Sequence, residues 1–226
     1  MKHRPSAVAF DVVETLFDLD ALKPRFEKAG LPPGLLREWF GRMIRDAMAL
    51  DATGVYQPFG QVALGTLAMM RAEQQLEPSP DAVEQIMAGF LELPAHADVK
   101  PAFQTLKDAG VRAICLTNGS AEITTKLLQR NQLDGLVERV ISIDEVKRWK
   151  PNKEVYLNAV KVVGVPADRL GMVAVHSWDI HGAMRAGLTT GWASRLEKRF
   201  HPLMGPPDVT GESLVEVCKG LLGLPG

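Results

Sequence analysis

The chain has 226 residues, enough for one full domain or for a core domain carrying a smaller inserted one. Hydrophobic residues make up 46% and charged residues 23%, which excludes a disordered or collagen-like chain. The net charge of -1, from 26 basic and 27 acidic residues with no basic block, argues against nucleic acid as a partner. Two cysteines, Cys115 and Cys218, cannot build a disulfide framework, and both lie in apolar runs that suit a reducing compartment. No stretch of about 18 apolar residues exists, so neither a transmembrane helix nor a membrane partner is expected. Met1-Lys2-His3-Arg4-Pro5 passes straight into a short apolar run and Asp11, whereas a signal peptide needs a longer apolar core. These features predict a cytoplasmic protein.

In chain order, Ala7-Val8-Ala9-Phe10 reads as a first strand, buried on both faces because it does not alternate. Helical spacing follows at Leu35, Trp39, Met43, Ala47 and Leu50, then at Val62, Leu64, Leu67 and Met70, then at Val83, Ile86, Met87 and Phe90. Pro32-Pro33-Gly34, Pro58, and Pro78 with Pro80 punctuate these patterns. Residues 19–94 thus predict an inserted helical unit, with Pro94 marking the return. Pro101 to Ala109 predicts a helix stopped by Gly110. Strand-like runs then recur at Ala113 to Leu116, Val140 to Ser142 and Met172 to Val175. Thr190 to Ala193 reads as the last strand. Helices fall between them: Ser120 to Asn131, Lys153 to Val163 ending at Gly164, and Ile180 to Ala186 ending at Gly187. This alternation predicts an α/β fold with a Rossmann-like parallel sheet core formed by 1–18 and 95–226, and an inserted α-helical cap domain at 19–94. The terminal Leu224-Pro225-Gly226 reads as a loose tail.

In an open parallel sheet, ligands sit beyond the carboxyl ends of the strands. Asp11 and Thr15 follow the first strand, and Thr117 and Asn118 the second. Lys150 lies after the third, and His176, Ser177, Trp178 and Asp179 follow the fourth. Phe10-Asp11-Val12-Val13-Glu14-Thr15-Leu16 resembles the first motif of the haloacid dehalogenase superfamily. Leu116-Thr117-Asn118-Gly119-Ser120 resembles the second, and Lys150-Pro151-Asn152-Lys153-Glu154-Val155-Tyr156 the third. Ser177-Trp178-Asp179 with Gly182-Ala183 and Ala186-Gly187 resembles the fourth. The motifs arrive in family order across nearly the whole chain.

That resemblance implies a nucleophilic aspartate, Asp11, which forms a covalent ester with substrate. Phosphatases of the superfamily usually carry a second aspartate two residues later, which protonates the leaving alkoxide. Val13 stands there and cannot donate a proton. General acid catalysis is typically worth roughly 10²–10⁴-fold, so this loss handicaps a phosphatase, whereas halide leaves without an acid. Asn118 and Trp178-Asp179 also match the 2-haloacid dehalogenase branch. The implied function is therefore hydrolysis of a small 2-haloacid to a 2-hydroxy acid, with no metal and no cofactor. A Mg²⁺-dependent phosphatase and a catalytically silent binding protein of the same fold are the alternatives. Lys150 is expected to keep Asp11 ionised. Thr15 and Thr117 are expected to donate hydrogen bonds to Asp11 or to the substrate carboxylate. Asp179, together with His176, is the candidate to position water. Tyr156 matches a tyrosine near the dehalogenase site, and a homodimer is open because similar proteins commonly form one.

Some positions depart from the branch. Its cap carries Trp-Arg, the arginine taking the departing halide, and a phenylalanine 20 residues beyond that tryptophan. Trp39 and Phe59 keep the spacing, but the arginine position is Phe40. Arg42 lies close on the same helix, although residues i and i+2 do not share a face. Val12 stands where the branch usually has a larger residue, and its Ser-Asn pair is replaced within Val175-His176. Glu14 replaces a common glycine and is expected to face solvent. Arg195 to Arg199 reads as a solvated face, and His181 as a surface or helix-start histidine. The methionines Met43, Met48, Met69, Met70 and Met87 read as a helical core, as does Trp192 for the sheet.

Overall fold

The computed structural model describes residues 2–77 and 79–226. Met1 and Pro78, the latter among the punctuating prolines, lie outside the described residues. The strands are β1 (Ala7–Phe10), β2 (Arg112–Thr117), β3 (Arg139–Ser142), β4 (Leu170–Ala174), β5 (Thr189–Ala193) and β6 (Val209–Gly211). Among the described residues they form one parallel six-stranded sheet in the order β3-β2-β1-β4-β5-β6. β1, β4 and β5 are buried along their whole length, which is why their sequences are continuous rather than alternating. β1 is central, paired with β2 on one side and β4 on the other. The winding direction reverses there, and the crevice beyond β1 and β4 is where such sheets bind ligands.

The helices are α1 (Lys23–Lys28), α2 (Leu35–Ala52), α3 (Phe59–Glu73), α4 (Pro80–Ala88), α5 (Val99–Asp108), α6 (Ala121–Arg130), α7 (Lys153–Val163), α8 (Ser177–Ala186) and α9 (Leu214–Leu222). Local chemistry sets their ends. The Ser120 hydroxyl accepts from Ile123 N at α6, and Asn152 Oδ1 accepts from Glu154 N at α7. Gly187, at φ 94°, adopts the left-handed conformation that ends α8.

Three expectations need correcting. Thr190 to Ala193 lies in β5, which is not the last strand, because β6 and α9 follow. β6 is three half-exposed residues, too short for a periodic signal, while α9 buries Leu214, Val217, Cys218 and Leu221. The C-terminal tail is tied down, with Arg4 N donating to Pro225 O at 2.7 Å. The fourth-motif helix starts at Ser177 rather than Ile180.

Between β1 and β2, helices dominate the chain from Leu19 to Glu92. Trp39 centres an aromatic cluster, with ring centroids 5.4 Å from Phe26 and 6.1 Å from Phe90. Phe59 packs on Phe90 at 5.4 Å and stacks on Trp149 of the β3–α7 loop at 6.2 Å. Met43 and Met70 are buried, but Met69 is 57% exposed, so the methionine core holds only in part. The excursion closes where Asp18 N donates to Pro94 O at 2.9 Å and Phe17 bridges Ala95.

Candidate active site

Asp11 leaves the end of β1 and is only 6% exposed. Its Oδ2 accepts from the Thr15 hydroxyl at 2.7 Å, and Thr15 Oγ1 in turn accepts from Val175 N at 3.2 Å. Its Oδ1 accepts from Lys150 Nζ at 3.1 Å. The same ammonium donates to Asp179 Oδ2 at 3.0 Å, and Lys150 and Asp179 are both fully buried. Asp179 Oδ1 accepts from the Tyr156 hydroxyl at 2.6 Å. Gly182 lets α7 and α8 come this close, since a Cβ there would lie 2.6 Å from the Tyr156 hydroxyl and from Pro151 Cβ. Asn118 Oδ1 accepts from Lys150 N at 3.2 Å, which leaves its amide nitrogen as the remaining donor.

Two carboxylates share one cation, and their surroundings shift them in opposite directions. Burial pushes the Asp11 carboxyl up, but Lys150, then His176 and the Thr15 hydroxyl, outweigh it and hold Asp11 below its ordinary range. Burial also pushes Asp179 up, and there the attraction of Lys150 does not recover the loss while the Asp11 charge adds to it, so Asp179 lies above its ordinary range. Lys150 is drawn down by burial, but Asp179 and Asp11 raise it further, and it remains a cation. The Cys115 thiol, in β2 beside β1, is pushed up to about 12 by burial, which leaves it inert as a nucleophile.

His176 stands over the other side of Asp11. Its Nε2 lies 3.9 Å from Asp11 Oδ2 and 3.5 Å from Glu14 Oε2, and its ring stacks on Trp178 at 5.3 Å. Glu14 therefore faces the site rather than solvent, contrary to expectation, and its side chain is only 10% exposed. Its backbone is left-handed at φ 67°, a conformation that costs a residue with a Cβ about 1–2 kcal/mol. The chain reversal after Asp11 turns the side chain inward, a bend that a glycine would take freely. Burial raises the Glu14 carboxyl above its ordinary range, an effect that His176 and Arg37 only partly offset.

Asp11, Thr117, Asn118 and His176 line one pocket with Val13, Phe40, Phe59 and Trp178. Its cavity volume is about 10 Å³, the room of one water. Thr117 makes no hydrogen bond to Asp11; its hydroxyl oxygen accepts from Gly119 N at 2.9 Å and keeps its own proton to donate. Tyr156 supports Asp179 from behind and is absent from the pocket lining. Arg42 is not brought to the site. Its guanidinium is clamped by Glu38 at 2.6 Å and Glu73 at 2.7 Å on the outer face of α2 and α3. Arg195 is not a solvated residue either, since it pairs with Asp98 at 2.7 Å and donates to Thr15 O. His181 is half-buried on α8. An open cleft of about 480 Å³ shares Phe40, His176 and Trp178 with the pocket and carries Arg37 and Arg45.

Among the described residues, no cluster of three histidine, cysteine or acidic side chains could hold a metal ion, and no helix is long and apolar enough to cross a membrane. The family model for haloacid dehalogenase-like hydrolases matches residues 5–187. The (S)-2-haloacid dehalogenase H-109 of Pseudomonas putida is 26% identical, over 95% of this chain and 97% of its own. The haloacetate dehalogenase H-2 of Moraxella sp. (strain B) is 25% identical, over 90% of this chain and 92% of its own. The crystal structure of the L-2-haloacid dehalogenase RSc1362 superposes with a TM-score of 0.89 at 27% identity, covering 98% of this chain and 99% of that one. Sheet order, the four loops that converge on Asp11 and a family match running from β1 through α8 lead to one assignment: the chain belongs to the haloacid dehalogenase-like hydrolases.

Proposed function

We propose that the protein is a hydrolytic dehalogenase that converts a small 2-haloacid to a 2-hydroxy acid through an aspartyl ester. The observation that carries this reading is a buried Asp11 kept ionised by Lys150, with the apolar Val13 as its neighbour on the pocket wall. A desolvated carboxylate with few hydrogen bonds is a competent nucleophile toward carbon. A carboxylate of Asp11 attacks C2, the carbon–halogen bond breaks, and halide departs with its electron pair. Asn118 and the rings of Phe40 and Phe59 surround that departure. The Thr117 hydroxyl and the Asn118 amide serve the substrate carboxylate.

Water then attacks Asp11 Cγ, and the 2-hydroxy acid leaves with the original Asp11 oxygen. His176, held by Glu14 and stacked on Trp178, positions this water, while Lys150, held in place by Asp179, stabilises the negative charge that develops on Asp11. A Mg²⁺-dependent phosphatase would need an acid to protonate its leaving alkoxide, and Val13 stands on the pocket wall in that place. Residues 19–94 act as the cap, contributing Phe40 and Phe59, on a core of 1–18 and 95–226. The reading includes a reducing cytoplasm, with which the two buried free thiols agree, and leaves room for a homodimer.

Single turnover in ¹⁸O water tests the route. Mass spectrometry is expected to find label in the Asp11 peptide, with unlabelled 2-hydroxy acid as first product. Label going directly into product would reject the ester, and release of phosphate with Mg²⁺ but no halide from any 2-haloacid would reject the substrate class.

A further inference from the structure

Beside the catalytic pocket lies a second cavity of about 100 Å³, an order of magnitude larger. The two share Val13, Phe59, Thr117 and Gly119 in their walls. Val12, Val13, Phe59, Met87, Phe90 and Leu127 make the second cavity apolar. Its main acid, Asp144, accepts a hydrogen bond from the Tyr56 hydroxyl and would repel a carboxylate. Of the donors suited to a carboxylate, Thr117 lines both cavities and the Asn118 amide lines the catalytic pocket alone. An anion placed to react at Asp11 points its carboxylate at the Asn118 amide, and the enclosed apolar direction then lies across Val13, since the larger cleft beyond Phe40 is open and carries Glu14, Arg37 and Arg45. Val13, which carries neither a ring nor a charge, is a small partition between the two cavities.

We infer that this side cavity receives the alkyl chain of the substrate from C3 onward, so that the enzyme favours 2-haloacids with several apolar chain carbons. The inference rests on the dehalogenase reading and deepens it. An alkyl chain that enters the cavity leaves water for hydrocarbon walls. The expected gain is about fourfold in kcat/KM per methylene, the equivalent of about 0.8 kcal/mol per buried CH₂.

The test is halide release from racemic 2-bromopropionate, 2-bromobutanoate, 2-bromopentanoate and 2-bromohexanoate by the full-length protein. Wild type is expected to rise in kcat/KM along the series. Ile123→Trp, which fills the cavity from its half-exposed α6 side, and Met87→Phe, from α4, are expected to flatten the rise and leave 2-bromopropionate unchanged. Halide release that stays equal or falls with chain length in wild type overturns the side-cavity inference while the dehalogenase reading stands. A rise that both variants keep also overturns it. Should no haloacid release halide, the dehalogenase reading fails, and calorimetry with hexanoate against propionate still decides the cavity. Tighter hexanoate binding lost in Ile123→Trp supports it, and equal affinities overturn it.

Discussion

Lys150→Met keeps the length and much of the volume of the side chain and removes only the charge, which makes it the sharpest perturbation of the site. The ammonium is fully buried and sits 3.1 Å from Asp11 and 3.0 Å from Asp179. At an effective dielectric near 20 each contact is worth about 5 kcal/mol before desolvation. Much of that is offset by burying the ions, and breaking such a pair costs about 3–5 kcal/mol net. For a chain of this size this lowers Tm by roughly 6–20 °C. The chemistry suffers for a separate reason. Asp11 is held below its ordinary value of 3.8 chiefly against burial and by Lys150, so its stabilising contribution is present above that value and is lost as pH falls through the lowered one. Without the cation, burial wins, the carboxyl rises, and the acid limb of the pH–rate profile moves to higher pH. Loss of preorganised charge stabilisation adds about 10²–10³-fold in kcat near neutrality. Differential scanning calorimetry reads the first effect, and halide release followed from about pH 3 to about pH 10, a span that brackets the acid limb, reads the second. Halide release within threefold of wild type, with an unmoved acid limb, would refute the reasoning.

Glu14→Gly relieves the left-handed strain and should leave Tm unchanged or raised by about 1 kcal/mol equivalent, yet it frees His176. The expected result is an aspartyl ester that accumulates in intact-mass spectra because its hydrolysis slows; halide burst without accumulation would count against Glu14 as the anchor. Glu14→Gln tests the charge. The carboxyl is raised by burial above 4.5, so the folded state keeps a proton that the unfolded state loses, and stability falls as pH rises above that value. The amide removes this loss, and the Tm gap between variant and wild type should widen in the variant's favour from acid to neutral pH. Tyr156→Phe deletes the 2.6 Å bond to a buried carboxylate, at a cost of about 1.5–3 kcal/mol in stability with a smaller effect on KM than on kcat. Arg42→Ala should leave kcat/KM within about twofold, as expected of an exposed ion pair remote from the reacting carbon; a large loss would return Arg42 to the site.

The sheet was readable because buried parallel strands leave uninterrupted apolar runs, and Ala7 to Phe10 is matched residue for residue by β1. Asp11, Asn118 and Asp179 were found by position, since each follows the end of a strand that the sheet order brings to one edge. What escaped the sequence depended on long-range partners or on backbone sign. Arg195 looks solvated until Asp98, distant in the chain, arrives beside it. Glu14 turns inward through a positive φ that its residue type does not advertise. Trp149 donates to Gln57 O and so pins the loop before Lys150 against α3, a contact no local pattern encodes. Arg42 could have been set aside earlier, because Glu38 one turn before it forms the usual i,i+4 pair.

The junction of Asp18 with Pro94 has a further consequence. The outgoing and returning chain stand one hydrogen bond apart, at 2.9 Å. Whatever lies between them is a loop whose two feet touch, and lengthening such a loop twofold costs only about 0.6 kcal/mol. Helices over Asp11 can therefore be swapped, stretched or trimmed by descent or by design without disturbing the strand register beneath. In such a scaffold substrate preference and reaction chemistry can evolve on separate schedules.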